Sequence, residues 1–159
     1  MKGDPKVIEL LNEALKNELT AVNQYWLHYR LLDNRGVKKL AEFERAESID
    51  EMKHADRLAE RVLFLDGLPN FQALGRLRIG ENVEEILRAD HELELEALTQ
   101  LRGAIQHCEK VRDYVSRDLF AEILGNEEEH VDHLEQQFEL IAAMGLPNYI
   151  QLQSEPAKD

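Results

Sequence analysis

Glu51-Met52-Lys53-His54 decides the fold once it is set beside Glu127-Glu128-Glu129-His130. Both stretches are Glu-x-x-His. Glu18 stands 33 residues before Glu51, and Glu94 stands 33 residues before Glu127. The triplet Glu18, Glu51, His54 therefore recurs 76 positions later as Glu94, Glu127, His130. A Glu and a His three apart on a helix share one face and can grip a single ion. Six groups that all bind metal, repeated in register, point to a two-fold related pair of metal ions held between helices.

The punctuation around these motifs is that of long helices. Asp4-Pro5 reads as an N-cap followed by an N1 proline. The first helix then spans about 5–34 and breaks at Asn34-Arg35-Gly36. A second spans about 37–65 and stops at Asp66-Gly67, with Pro69 just beyond. Residues 66–81 show no sustained period and form a long connection. Asn82 with Glu85 reads as a capping box opening a third helix, about 83–110. A fourth covers about 113–144 and ends at Gly145. Pro147 opens a short fifth helix, about 147–154, and the polar tail 155–159 is expected to fray. Short links make each helix pair antiparallel, and the middle segment allows one crossover along the bundle. The expected fold is all-α: a single domain over 1–159, a ferritin-like four-helix bundle with one long crossover and a short fifth C-terminal helix.

Helical spacing turns the six residues inward. Leu11, Leu15, Glu18, Val22 and Tyr25 form one stripe of the first helix. The second carries Leu40, Glu44, Glu47, Glu51, His54 and Leu58. The third carries Val83, Leu87, Asp90, Glu94, Ala97 and Leu101, and the fourth Phe120, Ile123, Glu127, His130 and Leu134. Each stripe has polar groups in its middle and apolar residues at its ends. An ionised carboxylate buried without a partner costs several kcal/mol, roughly, and converging carboxylates also repel. Cations remove both problems. The bland alternative turns these residues to the helix boundary or pairs them with Lys and Arg. Four carboxylates and two imidazoles suit Fe or Mn. No Cys joins the set, which argues against a structural zinc site. By symmetry Glu51 and Glu127, adjacent to the histidines, are placed to bridge two ions, with Glu18 and Glu94 terminal.

Composition excludes several function classes. The chain has 159 residues, with 32 acidic against 19 basic side chains and a net charge of −13. Phosphates would be repelled, so nucleic acid is not an expected partner. No apolar run approaches the roughly 20 residues that span a bilayer. The first 20 residues carry no secretory signal. Cys108 is the only cysteine, so no internal disulfide forms and a reducing, cytoplasmic setting is expected.

The segments MKGDPKVIELLNEAL, NELTAVNQYWLHYR, ESIDEMKHADR, VLFLDGLPN, RIGENVEEIL, DYVSRDLFAEIL and EEEHVDHLE closely resemble bacterioferritins, over nearly the whole chain. The six-residue ligand pattern is itself the one known from ferritin-like di-iron bundles. The resemblance implies a di-iron ferroxidase whose ligands map onto Glu18, Glu51, His54, Glu94, Glu127 and His130. It implies oxidation of Fe(II) by O2 or H2O2 and storage of Fe(III) mineral in a homo-oligomeric cage of 24 subunits. It also implies haem of b type on a two-fold axis between subunits, with Met52 as axial ligand, and a small ferredoxin as reductant. Met52 lies about 100° round the helix from Glu51, which points it away from the iron site. Many members carry Trp and His where this chain has Arg35 and Ala46; Asp50 is retained.

Tyr25 is placed to bond a ligand carboxylate, to supply an electron, or simply to pack. Glu47 is placed beside the ligands or along the cavity. His28, His91, His107 and His133 lack a matching carboxylate register and read as surface or interface groups. Trp26 reads as an interface residue and Cys108 as a buried filler. Three rival readings remain at this level. A rubrerythrin-type di-iron oxidase or peroxidase would add a CxxC iron domain, which one Cys cannot supply. The others are a metal or haem carrier without turnover and a purely structural bundle.

Overall fold

The computed structural model describes residues 1–155; the end of the expected frayed tail, 156–159, lies outside the described residues. Helix α1 spans Pro5–Asn34, α2 Lys38–Phe64, α3 Val83–Val111, α4 Tyr114–Met144 and α5 Leu146–Gln153. Each helix boundary lies within one residue of the position the sequence suggested.

The ends follow from capping chemistry. The backbone N–H groups of Lys6 and Val7 donate to Asp4 Oδ1 at 2.9 and 3.0 Å. Asn82 Oδ1 accepts from the Glu85 N–H at 2.9 Å. The reciprocal half of the expected capping box is shifted by one residue, because Glu85 Oε2 accepts from the N–H of Glu81 instead of Asn82. At the end of α2 the left-handed residue is Asp66, with φ 62°, and not the glycine that follows. Asp tolerates that region through its short polar side chain.

Helix α1 packs against α2 and α3, α3 against α4, and α5 against α4 and α2. The apolar core is split in two. Val7, Leu11, Leu15, Leu58, Leu101, Phe120 and Ile123 fill one end. Leu32, Leu40, Leu87, Leu134 and Tyr149 fill the other. The buried acids and histidines lie between these blocks along each helix, as the interrupted stripes require.

Polar side chains of α1 grip the crossover. Asn12 Oδ1 accepts from the N–H of Asn70 at 2.9 Å, and Thr20 Oγ1 from that of Gly75 at 2.8 Å. Gln24 Oε1 accepts from Arg78 N–H at 2.9 Å, and His28 Nε2 from Gly80 N–H at 3.0 Å. These bonds satisfy backbone donors of a segment with no secondary structure of its own. Gly80 passes so close to α3 that a Cβ there would lie 2.3 Å from Ile86 N. His28 is accordingly 0% exposed, which corrects its reading as a surface or interface group. The signal that would have found it is its place one turn after Tyr25 on the inward stripe of α1.

Candidate metal centre

All six residues of the repeated triplet are buried at the middle of the bundle. They fall into two groups. Glu18, Glu51, His54 and Glu127 offer ligand atoms that all lie within 4.8 Å of one another. Glu51, Glu94, Glu127 and His130 do the same. Glu51 and Glu127 belong to both. Each group could hold one ion, with two carboxylates between the ions and one Glu and one His at each end.

The imidazoles aim their Nδ1 atoms into these groups. His54 Nδ1 lies 3.2 Å from Glu127, 3.6 Å from Glu18 and 3.8 Å from Glu51. His130 Nδ1 lies 3.3 Å from Glu94 and 3.4 Å from Glu47. Asn126 Nδ2 meets the opposite ring atom of His54 at 3.1 Å and fixes that ring. Tyr25 stands edge-on to the His130 ring, with centroids 5.3 Å apart, and its hydroxyl donates to Glu94 Oε1. Glu47 thus sits beside His130, as its position one turn before Glu51 suggested.

Many polar atoms here have no protein partner. Glu18 Oε2, both oxygens of Glu127, Glu94 Oε2, His54 Nδ1 and both ring nitrogens of His130 are buried and unbonded. Orphaned buried groups are costly and rare. Their convergence from four helices fits cation ligation, which would satisfy them together.

The electrostatics agree. Burial, and then the charges of Glu51 and Glu94, push the Glu127 carboxyl well above its usual range. Burial also raises Glu51, with Glu94 adding to it. For His130 burial opposes the charged form, but the neighbouring Glu94 carboxylate, with the charges of Glu47 and Glu51, outweighs it and raises the imidazole to about 9. His54 is raised against burial by Glu51. Protonation of these groups thus offsets part of the negative charge gathered there.

A pocket open to solvent reaches this cluster. Glu47, Asp50, Lys53, Arg57 and Glu129 line it, and His54, Glu127 and His130 form its floor. His133 also lines it, stacked on Phe43 with ring centroids 4.0 Å apart.

Met52 lies elsewhere, on the outer face of α2, and is 41% exposed. With Ile49 and the stems of Lys53, Asp56 and Arg57 it makes a shallow, mainly apolar patch. Trp26 on α1 is also exposed, and Cys108 is buried.

A ferritin-like domain family matches residues 8–144. A bacterioferritin of Brucella melitensis is 52% identical over 159 residues, covering 100% of this chain and 99% of that protein. A bacterioferritin of Streptomyces coelicolor is 51% identical over 150 residues, covering 94% of this chain and 90% of its own length. One of Mycobacterium avium is 48% identical over 149 residues, with 94% of each chain covered. Identity of this level across whole chains, on the fold described, shows that this chain belongs to the bacterioferritin family of ferritin-like proteins.

Proposed function

We propose that the protein is an iron-storage ferroxidase whose two-ion centre is made by Glu18, Glu51, His54, Glu94, Glu127 and His130. Iron is here the substrate and cargo. Glu18 and His54 hold one Fe(II), Glu94 and His130 the other, and Glu51 and Glu127 lie between them. The observation that carries this reading is the sharing of those two carboxylates by both four-residue groups. Two Fe(II) ions supply two electrons together. With two protons they reduce O2 to H2O2, or H2O2 to two waters. The chain's part is to gather the ions, hold them in a fixed, buried site and release the protons their ligands carry.

The acids along the open pocket support entry of cations by that route. A net charge of −13 supports attraction of Fe(II) to the protein as a whole. Membership of the family supports delivery of Fe(III) to a mineral inside a hollow homo-oligomer; we take the 24-subunit cage from that kinship. The exposed thioether of Met52 on an apolar patch supports haem b held between two subunits, by Met52 and its symmetry copy. Haem bound there would supply one-electron transfer, with a small ferredoxin as its source. No helix among the described residues is long and apolar enough to cross a membrane.

Anaerobic titration with Fe(II) followed by O2 tests the reading. About two irons per subunit should be oxidised rapidly. Glu18→Ala and His130→Ala should abolish that phase while leaving the helical content intact. Normal rapid oxidation in either variant would remove the assignment.

A further inference from the structure

One turn along α1 and α3 from Tyr25 and Glu94 lies a second buried polar cluster, made of His28, Glu44 and Asp90. Their ligand atoms lie within 4.8 Å of one another. Glu44 is 1% exposed, and Asp90 and His28 are fully buried.

The hydrogen bonds of this cluster fix its protons. Gly80 N–H donates to His28 Nε2 at 3.0 Å. A ring that accepts at Nε2 carries its proton at Nδ1, and Nδ1 faces Asp90 Oδ1 at 2.9 Å. Gln24 Nε2 donates to the same oxygen at 2.9 Å. Asp90 Oδ1 is therefore doubly satisfied, and His28 has no free lone pair for an ion. Three oxygens remain without a partner: Asp90 Oδ2 and both oxygens of Glu44. Among the described residues no Lys or Arg nitrogen lies within 4.0 Å of either carboxylate; the one basic group that close is His28, beside Asp90.

Two adjacent carboxylates in a dry site cannot both be ionised without a counter-charge. The groups facing Glu44 do not provide one. Asp90 and Glu94 face it from α3, Glu47 from its own helix and Tyr149 from α5. Tyr25 of α1 faces Asp90 and Glu94, and His130 of α4 faces Glu47 and Glu94. Burial first, then the charge of Asp90, hold the Glu44 carboxyl well above its usual range.

We propose that Glu44 carries a proton in the metal-free protein, held against Asp90, and that cations filling the neighbouring six-residue centre expel it. Glu44 as a neutral acid donates to Asp90 Oδ2, which gives two of the three orphan oxygens a partner with a single proton. Cations beside Glu47 and Glu94 replace a negative field by a positive one. The neutral acid then loses its advantage, and the proton leaves to solvent. The pair is a proton store coupled to metal loading, positioned by His28 and Gln24. This rests on the reading of the six residues as the metal centre.

Zn(II), which is redox-silent, provides the probe. Full-length metal-free protein is titrated near pH 7 in weak buffer with an indicator dye, and released protons are counted against zinc bound. Wild type should release about one proton more per subunit than Glu44→Gln, with both binding two zinc ions. The infrared band of an un-ionised carboxyl group should be larger in metal-free wild type than in Glu44→Gln, and that extra component should vanish on loading. Asp90→Asn can offer its amide to an ionised Glu44, so it should also release one proton fewer. It serves as the second variant if Glu44→Gln fails to fold. Equal proton counts at two zinc ions per subunit would overturn the store alone. A third zinc ion in wild type, lost in Glu44→Gln, would show that a cation occupies the pair and would also overturn it. Absence of tight zinc from every protein would instead bring down the metal centre, and the expulsion with it.

Discussion

Tyr25 on α1 donates its phenol proton to Oε1 of Glu94 on α3, entirely inside the bundle. The bond ties the carboxylate end of one four-residue group to a helix that supplies Glu18 to the other. It also leaves Glu94 Oε2 as the atom free to face an ion. Burial, and then the negative charge of Glu94, hold the phenol well above its usual range, so Tyr25 stays a donor.

Tyr25→Phe removes that donor without changing the ring volume. Hydrogen bonds to charged groups contribute about 1.5–3 kcal/mol. The metal-free variant should therefore lose about 2 kcal/mol of stability, seen as a lower Tm. It should still bind two zinc ions per subunit, since no ligand is removed. An unchanged Tm would show that the bond carries no such weight.

Metal affinity should rise with pH. His130 is protonated up to about 9 in the metal-free protein and must lose that proton to ligate. Between pH 7 and 9 each unit should tighten zinc binding by about tenfold for this one proton. For the stability of the metal-free protein the sign is the opposite. The His130 pKa is raised above its ordinary 6.5, so its stabilising effect is full below 6.5 and is lost as pH rises through 9. Raised Glu51 and Glu127 act in the same direction, since their neutral forms suit the empty fold. Scanning calorimetry should show the Tm gap between zinc-loaded and metal-free protein widening from pH 6.5 to 9. A constant gap would count against these proton assignments.

Cys108 is fully buried, and burial, followed by Asp113, pushes its thiol up to about 11. At pH 8 only roughly a thousandth of it is thiolate. A thiol reagent should leave the native protein unmodified and react fully in denaturant. Prompt modification of the folded protein would contradict this burial.

Met52→Leu keeps apolar bulk on the outer face of α2 and removes the thioether. Haem content, read from the absorbance spectrum, should fall to background. The rapid oxidation of two irons per subunit should persist, because Met52 does not line the buried cluster. Full haem retention would assign its ligand elsewhere.

The sequence by itself determined much of this. The 76-residue echo and the interrupted apolar stripes announced four inward-facing helices with acids at their middle. Local chemistry set the helix ends to within one residue, because caps such as Asp4 and Asn82 act over three positions. Glu18 and His130 were legible for the same reason: helix periodicity alone turns them to the core.

Tertiary structure alone decided what depends on neighbours distant in sequence. His28 read as a surface group because it lacks a carboxylate in register; its place on the inward stripe of α1 hinted at burial, but the partners that hold it, Gly80 and Asp90, lie 52 and 62 residues away. The grip of α1 on the crossover was invisible, since an aperiodic segment declares nothing about which side chains will satisfy its backbone. The sharing of Glu51 and Glu127 between two groups was expected from the symmetry of the repeat, but the distances that bring their atoms together needed the packing of four helices in space. Period and capping are short-range properties written in adjacent residues; burial of one polar group by another is a long-range one, settled only when the helices meet.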